Sequence, residues 1–349
     1  MRIFDYTRLK DRQWDTELLG LVAQIHEYKG RQEFYLKQKP AALDKLVEIA
    51  KIQSTEASNK IEGIVTTSTR IQQLFQEKTT PRNRDEEEIL GYRDVLNLIH
   101  ENFEYIPVRS PYILQLHRDL YKYSEKSISG RFKNTQNYIA ETTPDGKQTI
   151  RFMPLPPYET PAAIEAICES FNRTIDASIV DPLLLIPFFI TDFLCIHPFN
   201  DGNGRMSRLQ TTLLLYQSGY MIGRYISIET KIEKTKEAYY DALNQSDANW
   251  HDGANDPTPF IKYLLGIILS AYRDFESRLN LVDEKLPAIE RVRKAIDGRI
   301  GKFTKRELME LVPSIGKASI ENALRKLVED GDIERHGQGK TTFYTKREK

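Results

Sequence analysis

Residues 181–220 read DPLLLIPFFITDFLCIHPFNDGNGRMSRLQTTLLLYQSGY, and this stretch decides the fold. Its first part is apolar on every side, which marks a helix buried all round rather than a surface helix. Pro187 and Asp192 interrupt it, and it is too short to span a bilayer. A polar knot, His197-Pro198-Phe199-Asn200-Asp201-Gly202-Asn203-Gly204-Arg205-Met206-Ser207-Arg208, follows and runs straight into a second apolar helix. The expected centre is therefore helix, tight turn, helix. His197 closes the first helix, and the DGNG turn opens the N-terminus of the second.

Working outward, apolar residues recur at three- and four-residue spacing near 14–30, 40–62, 84–103, 111–123, 160–177, 183–196, 204–218, 230–246 and 257–280. Prolines at 81, 111, 161, 182 and 257 fall at helix starts or boundaries. NYIAETTPDGKQTIRFMPLPP breaks the pattern: Tyr138 and Ile139, a Pro-Asp-Gly turn, then TIRFM predict a β-hairpin with an exposed polar loop. From about 281–288 onward, three short helices precede two short strands around a Gly-rich turn, the order of a winged helix-turn-helix. The expected fold class is mainly α: a helical core with a β-hairpin, plus this C-terminal module. The expected divisions are an N-terminal helical region over 1–105, a catalytic core over 106–280 and the module over 283–349.

The chain has 349 residues, more than one compact core needs, with 50 Lys+Arg against 50 Asp+Glu. No overall field draws it to nucleic acid or membrane. Cys168 and Cys195 both lie in apolar helix-like runs, which suits a reducing compartment. The first residues lack the apolar segment of a signal peptide, so the cytoplasm is the expected location and no membrane partner is expected.

The knot suits a polyphosphate. Free N–H groups and the positive dipole end at a helix N-terminus attract anions. Gly202 and Gly204 let backbone approach closely. Asp201 is a hard oxygen ligand suited to a Mg²⁺ ion bridging phosphates, and Asn203 carries donors for phosphate oxygens. Arg205 and Arg208, three apart, are placed to clamp outer phosphates. His197 is the natural base for a hydroxyl nucleophile. Simpler readings fail: a calcium loop would need an oxygen ligand where Arg205 stands, and Gly337–Thr341 lacks the earlier glycine of a P-loop. His26, His100, His117, His251 and His336 have no partner spacing and are given no role.

HPFNDGNGRMSR resembles the Fic motif, HPFx[D/E]GNGRxxR, and matches every specified position. The intact His and Asn-Gly-Arg look like the AMP-transferring class rather than the Doc kinases, which depart from GNG in this loop. The resemblance implies an all-α core and ATP as substrate, with AMP moved to a hydroxyl side chain of a target protein. It implies that His197 deprotonates that hydroxyl and Asp201 holds Mg²⁺. Gly202, Asn203 and Gly204 would line the anion hole, Arg205 the phosphates and Arg208 the γ-phosphate. The hairpin over about 138–152 matches the family's flap, whose strand pairs with the target backbone; its expected docking residues are Tyr138, Ile139, Thr149, Ile150 and Arg151.

Upstream, Ser58-Asn59-Lys60-Ile61-Glu62-Gly63 is similar to the family's inhibitory motif, [S/T]xxxE[G/N]. Ser58 and Glu62 share a helix face, and Gly63 ends that helix. The resemblance puts this inhibitory helix at about 45–63 and Glu62 against Arg208, where the γ-phosphate must sit. In relatives the same glutamate can position a water that removes AMP, so a bidirectional or mainly de-AMPylating enzyme is an alternative. A homodimer is a further expectation, and Tyr138, Tyr239 and Tyr240 are candidate self-modification sites, against the simpler reading of surface tyrosines.

A reading of another class is a DNA-binding regulator acting through the winged helix. Residues 283–349 carry 16 Lys/Arg against 12 Asp/Glu, and the recognition-helix candidate KASIENALRKLVED is neutral. DNA readers concentrate positive charge, so protein docking or dimerisation suits this module at least as well.

Overall fold

The computed structural model describes residues 2–38, 40–76, 79–124, 128–142, 148–281, 286–297, 299, 301–312 and 315–347. The Pro-Asp-Gly turn expected at 144–146 lies outside them. The described chain is mainly helical, with two antiparallel two-stranded ribbons.

The centre is as its apolar run requires. Helix α7 (Pro182–Ile196) is buried on all sides, and α8 (Asn203–Gln217) packs on it after the 197–202 turn. Asp181 caps α7 by accepting from Leu183 N, and Pro182 at its first position has no N–H to lose. Around this pair lie α1 (Thr16–Gln38), α2 (Pro40–Ile61), α3 (Ser68–Phe75), α4 (Arg84–Asn102), α5 (Ser110–Leu120), α6 (Thr160–Asp176), α9 (Ile228–Lys234), α10 (Lys236–Ser246) and α11 (Thr258–Leu281). One apolar cluster runs from Tyr6 to Leu279, with residues on both sides of the expected 105/106 division. Buried Asp192 inside α7 helps to tie in the N-terminus. It accepts from Arg2, the Tyr6 hydroxyl and Trp250 Nε1, at 3.1, 2.9 and 2.7 Å.

Strands β1 (Ile139–Thr142) and β2 (Gln148–Phe152) pair antiparallel, with Ala140 opposite Ile150 and an irregularity at Ile139/Ala140. Among the described residues no third strand joins either edge.

A second apolar cluster, Val292 to Ile333, belongs to α12 (Ala288–Asp297), α13 (Lys305–Leu311), α14 (Lys317–Glu329), β3 (Ile333–His336) and β4 (Phe343–Lys346). A capping box between Thr304 and Glu307 starts α13. This module rests on α2 and α3. Arg306 Nη1 donates to Ser68 Oγ at 2.8 Å and its Nη2 lies 3.4 Å from Glu56 Oε2, while Gln53 donates to Glu310 at 3.0 Å. A groove of about 830 Å³ along α14 and the β3–β4 ribbon holds the pairs Lys305 with Glu321 and Arg325 with Glu329.

Candidate active site

Helix α7 ends at His197 in the left-handed conformation, φ 52° and ψ 63°, and this turns the chain into the 197–202 loop. His197 Nδ1 faces the Leu194 carbonyl at 3.2 Å, so Nδ1 carries the proton and Nε2 is left as an acceptor. Burial, first of all, pushes the imidazole down to about 4; the Leu194 hydrogen bond opposes it, Lys133 adds to it, and Glu62 and Asp201 oppose it. The ring is therefore neutral at physiological pH, the form that accepts a proton.

Gly202 precedes α8 with φ 84°, a conformation open to glycine, and a Cβ there would lie 2.9 Å from the Tyr121 hydroxyl. A Cβ on Gly204 would lie 2.2 Å from Glu62 Oε1, so the Glu62 carboxylate lies directly against the first turn of α8. Glu62 follows α2, and Gly63 (φ 79°) ends that helix with Ile64 N bonded back to Asn59 O at 3.0 Å. Arg208 receives this end of α2. Its Nε donates to Ser58 Oγ at 2.8 Å, and its Nη2 donates to Ser58 O at 3.0 Å and to Glu62 Oε1 at 2.7 Å. Burial works against the Arg208 charge, but Glu62 foremost, with Tyr239 and Tyr92, holds the guanidinium above its ordinary range.

A cavity of about 240 Å³ is lined by His197, Asp201, Gly202, Gly204, Arg208 and Glu62, among others. Helix α10 supplies the facing wall through Tyr239, Tyr240, Leu243 and Asn244. Sequence reasoning missed this wall. Its only signal was the spacing of YYDALN, an ordinary amphipathic pattern. Tyr239 is buried rather than a surface tyrosine, whereas Tyr138 at the ribbon is 60% exposed.

Three of the expected side chains are engaged within the fold. Arg205 is not at the cavity: it is fully buried, paired with Glu88 Oε2 at 2.7 Å and donating to the Tyr121 hydroxyl at 2.7 Å. The Asn203 side chain bonds within the loop, donating to Phe199 O at 2.8 Å and accepting from Phe199 N at 2.9 Å. Asn203 still lines the cavity. Arg151 does not present its side chain to a docking partner, because it is clamped on Asp247 at 2.8 and 2.9 Å. Thr149 and Ile150 are exposed, and Ile139 lines the cavity.

Asp201 keeps one carboxylate oxygen on Gly202 N at 2.7 Å, and its other oxygen lies 3.6 Å from Arg84. His117, given no role from sequence, supports this loop. Its ring stacks on Phe199 at 3.7 Å, accepts from Gly130 N through Nδ1, and lies 3.1 Å from Asp201 O through Nε2. Among the described residues no three His, Cys, Asp or Glu side chains gather as a metal site, and no helix is long and apolar enough to cross a membrane. Cys168 and Cys195 are buried free thiols.

Residues 107–215 match the Fic/DOC family. The chain is 23% identical over 267 residues to "Protein adenylyltransferase Fic" of Nematostella vectensis, covering 73% of this chain and 55% of that protein. It is 25% identical over 184 residues to "Protein adenylyltransferase fic-1" of Caenorhabditis elegans, covering 52% of this chain and 32% of the relative. The chain thus spans about half or less of these relatives. A Fic family protein from Desulfovibrio desulfuricans shares the fold over 97% of this chain and 98% of its own, at TM-score 0.62 and 24% identity. A Fic-domain signalling protein from Bacteroides thetaiotaomicron aligns over 74% of this chain and 95% of its own, at TM-score 0.59 and 25% identity.

Proposed function

On the premise that this chain carries a Fic domain, we propose that it moves AMP from ATP to a hydroxyl side chain of a protein, and that Glu62 restrains the transfer. One observation carries the reading. The acceptor nitrogen of a neutral His197, the N-terminus of α8 and an Arg208 already engaged by a carboxylate meet at one cavity. The relatives named protein adenylyltransferases support the same activity.

In this reading the hydroxyl oxygen attacks the α-phosphorus as the bond to pyrophosphate breaks, and the hydroxyl proton passes to His197 Nε2. The α8 N-terminus would hold the anionic phosphates, and the backbone donors at 203 and 204 would serve the charge that develops. Arg208 would take the γ-phosphate once Glu62 leaves it. Asp201 fits a Mg²⁺ ion that arrives with ATP, since it is one hard carboxylate at the cavity and phosphate oxygens and water would complete the shell. Such an ion would neutralise phosphate charge. The two open edges of the β1–β2 ribbon suit pairing with a target backbone, with Tyr138, Thr149 and Ile150 on its exposed surface.

The test is incubation with ATP labelled on the α-phosphate and a cell lysate, comparing the native chain with His197→Ala. Loss of a general base costs on the order of 10²–10⁴ in rate. Near-normal transfer by His197→Ala, with nucleotide binding intact, refutes the assignment.

A further inference from the structure

We propose that Lys133 and Asn137 form the positioning device of this site, holding the turn that carries His197 and setting a buried positive charge beside it. The inference rests on the reading of His197 as the base.

The turn 196–199 needs holding. His197 is a non-glycine residue in the left-handed region, which persists where its surroundings enforce it. Four consecutive carbonyls there accept from the segment 133–137. Ile196 O takes Lys133 Nζ at 2.9 Å, and His197 O takes Asn137 Nδ2 at 3.1 Å. Pro198 O takes the Lys133 backbone N–H at 2.8 Å, and Phe199 O takes Asn137 Nδ2 at 3.0 Å. Lys133 Nζ also donates to Asn137 Oδ1 at 2.8 Å, which orients the amide that reaches His197 and Phe199. Further along, Asn200 donates to Asn134 Oδ1 at 3.0 Å and accepts from Thr135 at 3.2 Å.

Lys133 is 3% exposed, and among the described residues no carboxylate lies within ion-pair distance of it. Burial alone pulls its ammonium down to about 8. An apolar side chain would fill this space without the penalty of a buried charge held by neutral acceptors. What the ammonium adds is a field. Of the charges acting on His197, Lys133 disfavours ring protonation, while Glu62 and Asp201 favour it. The brace therefore fixes the ring's position and adds to the burial that keeps it unprotonated, the two properties a base needs.

The experiment follows the His197 ring by NMR titration of the whole chain, alongside kcat and KM for ATP. It compares Lys133→Met, Lys133→Arg and Asn137→Ala with the native protein. In Lys133→Met the His197 titration should move up by about half a pH unit or more. Its kcat should fall roughly ten- to a hundredfold through misplacement of the base, with KM for ATP within about twofold. Asn137→Ala should lower kcat, and Lys133→Arg should restore both titration and rate. Should Lys133→Met not fold, Lys133→Gln makes the same comparison, keeping a donor to Ile196 O and losing the charge. An unmoved His197 titration together with unchanged kcat overturns the proposal. So does a fall in kcat matched by loss of ATP binding and thermal stability, since that marks a merely structural lysine. A Glu62→Gly chain that transfers no AMP refutes the proposed function instead, and the ring titration still judges Lys133.

Discussion

Replacing Glu62 with glycine should raise AMP transfer about thirtyfold. The Glu62–Arg208 contact is 2.7 Å long, with the guanidinium 3% and the carboxylate 31% exposed. Charge centres about 4 Å apart at an effective dielectric near 20 attract by about 4 kcal/mol, and partial exposure of the carboxylate roughly halves this. A competition of about 2 kcal/mol corresponds to a factor of roughly thirty. Arg208 keeps Ser58 Oγ and Ser58 O after the substitution, so it stays aimed at the cavity while losing its anion. The assay is the initial rate of transfer of label from ATP to protein, at ATP below KM. Glu62→Gln should gain less, because its side chain still lies against the α8 turn at Gly204. A rise of under about threefold in Glu62→Gly, at unchanged ATP affinity, refutes the argument that Arg208 is the contested group. A fall in forward transfer together with loss of AMP removal from a modified target would assign Glu62 to hydrolysis.

Two further outcomes are expected. Asp201→Ala should weaken Mg²⁺-ATP binding about tenfold or more while leaving AMP binding within about twofold, because AMP lacks the bridged phosphates; equal losses by calorimetry would remove Asp201 from the metal role. His100 is buried against the Tyr216 hydroxyl, and its imidazole is pushed down to about 3, by burial first, then Lys51 and Arg224. The folded chain thus refuses a proton that the unfolded chain takes below about 6.5, so this stability is present above that pH and is lost as pH falls. Between pH 6.5 and 5 the loss is about 2 kcal/mol from His100, and His100→Phe should reduce the fall of the unfolding free energy measured in urea by that amount; an unchanged fall would reject it.

The fold's centre was legible because its signal is local. A run apolar on all sides must be buried on all sides, and a Gly-rich knot after it must turn. The elements missed from sequence have weak local signals. Helix α3 is only eight residues with a narrow apolar stripe, and its Arg70 is engaged by Glu86 from α4. The helix expected over 230–246 divides at Thr235 without glycine or proline; the Thr235 hydroxyl bonds Lys231 O and the Tyr263 hydroxyl of α11. Arg2 entering the core beside Asp192 depends on residues far apart in sequence, and no periodicity reports it.

The site divides along the same line. Backbone roles could be read from residue type, since a glycine at φ 84° or beneath a carboxylate acts through having no Cβ. Side-chain directions could not. Arg205 and Arg208 are three residues apart, which places them about 60° apart around the helix. On a half-exposed helix both would share one face. Helix α8 is buried on every side, and there 60° decides which neighbour each arginine meets: Arg205 turns to Glu88 of α4, and Arg208 turns to Ser58 and Glu62 at the end of α2. One arginine thus holds helices together at full burial while the other lines the cavity. Their difference in role comes from the layers packed on α8, which the twelve-residue motif does not contain.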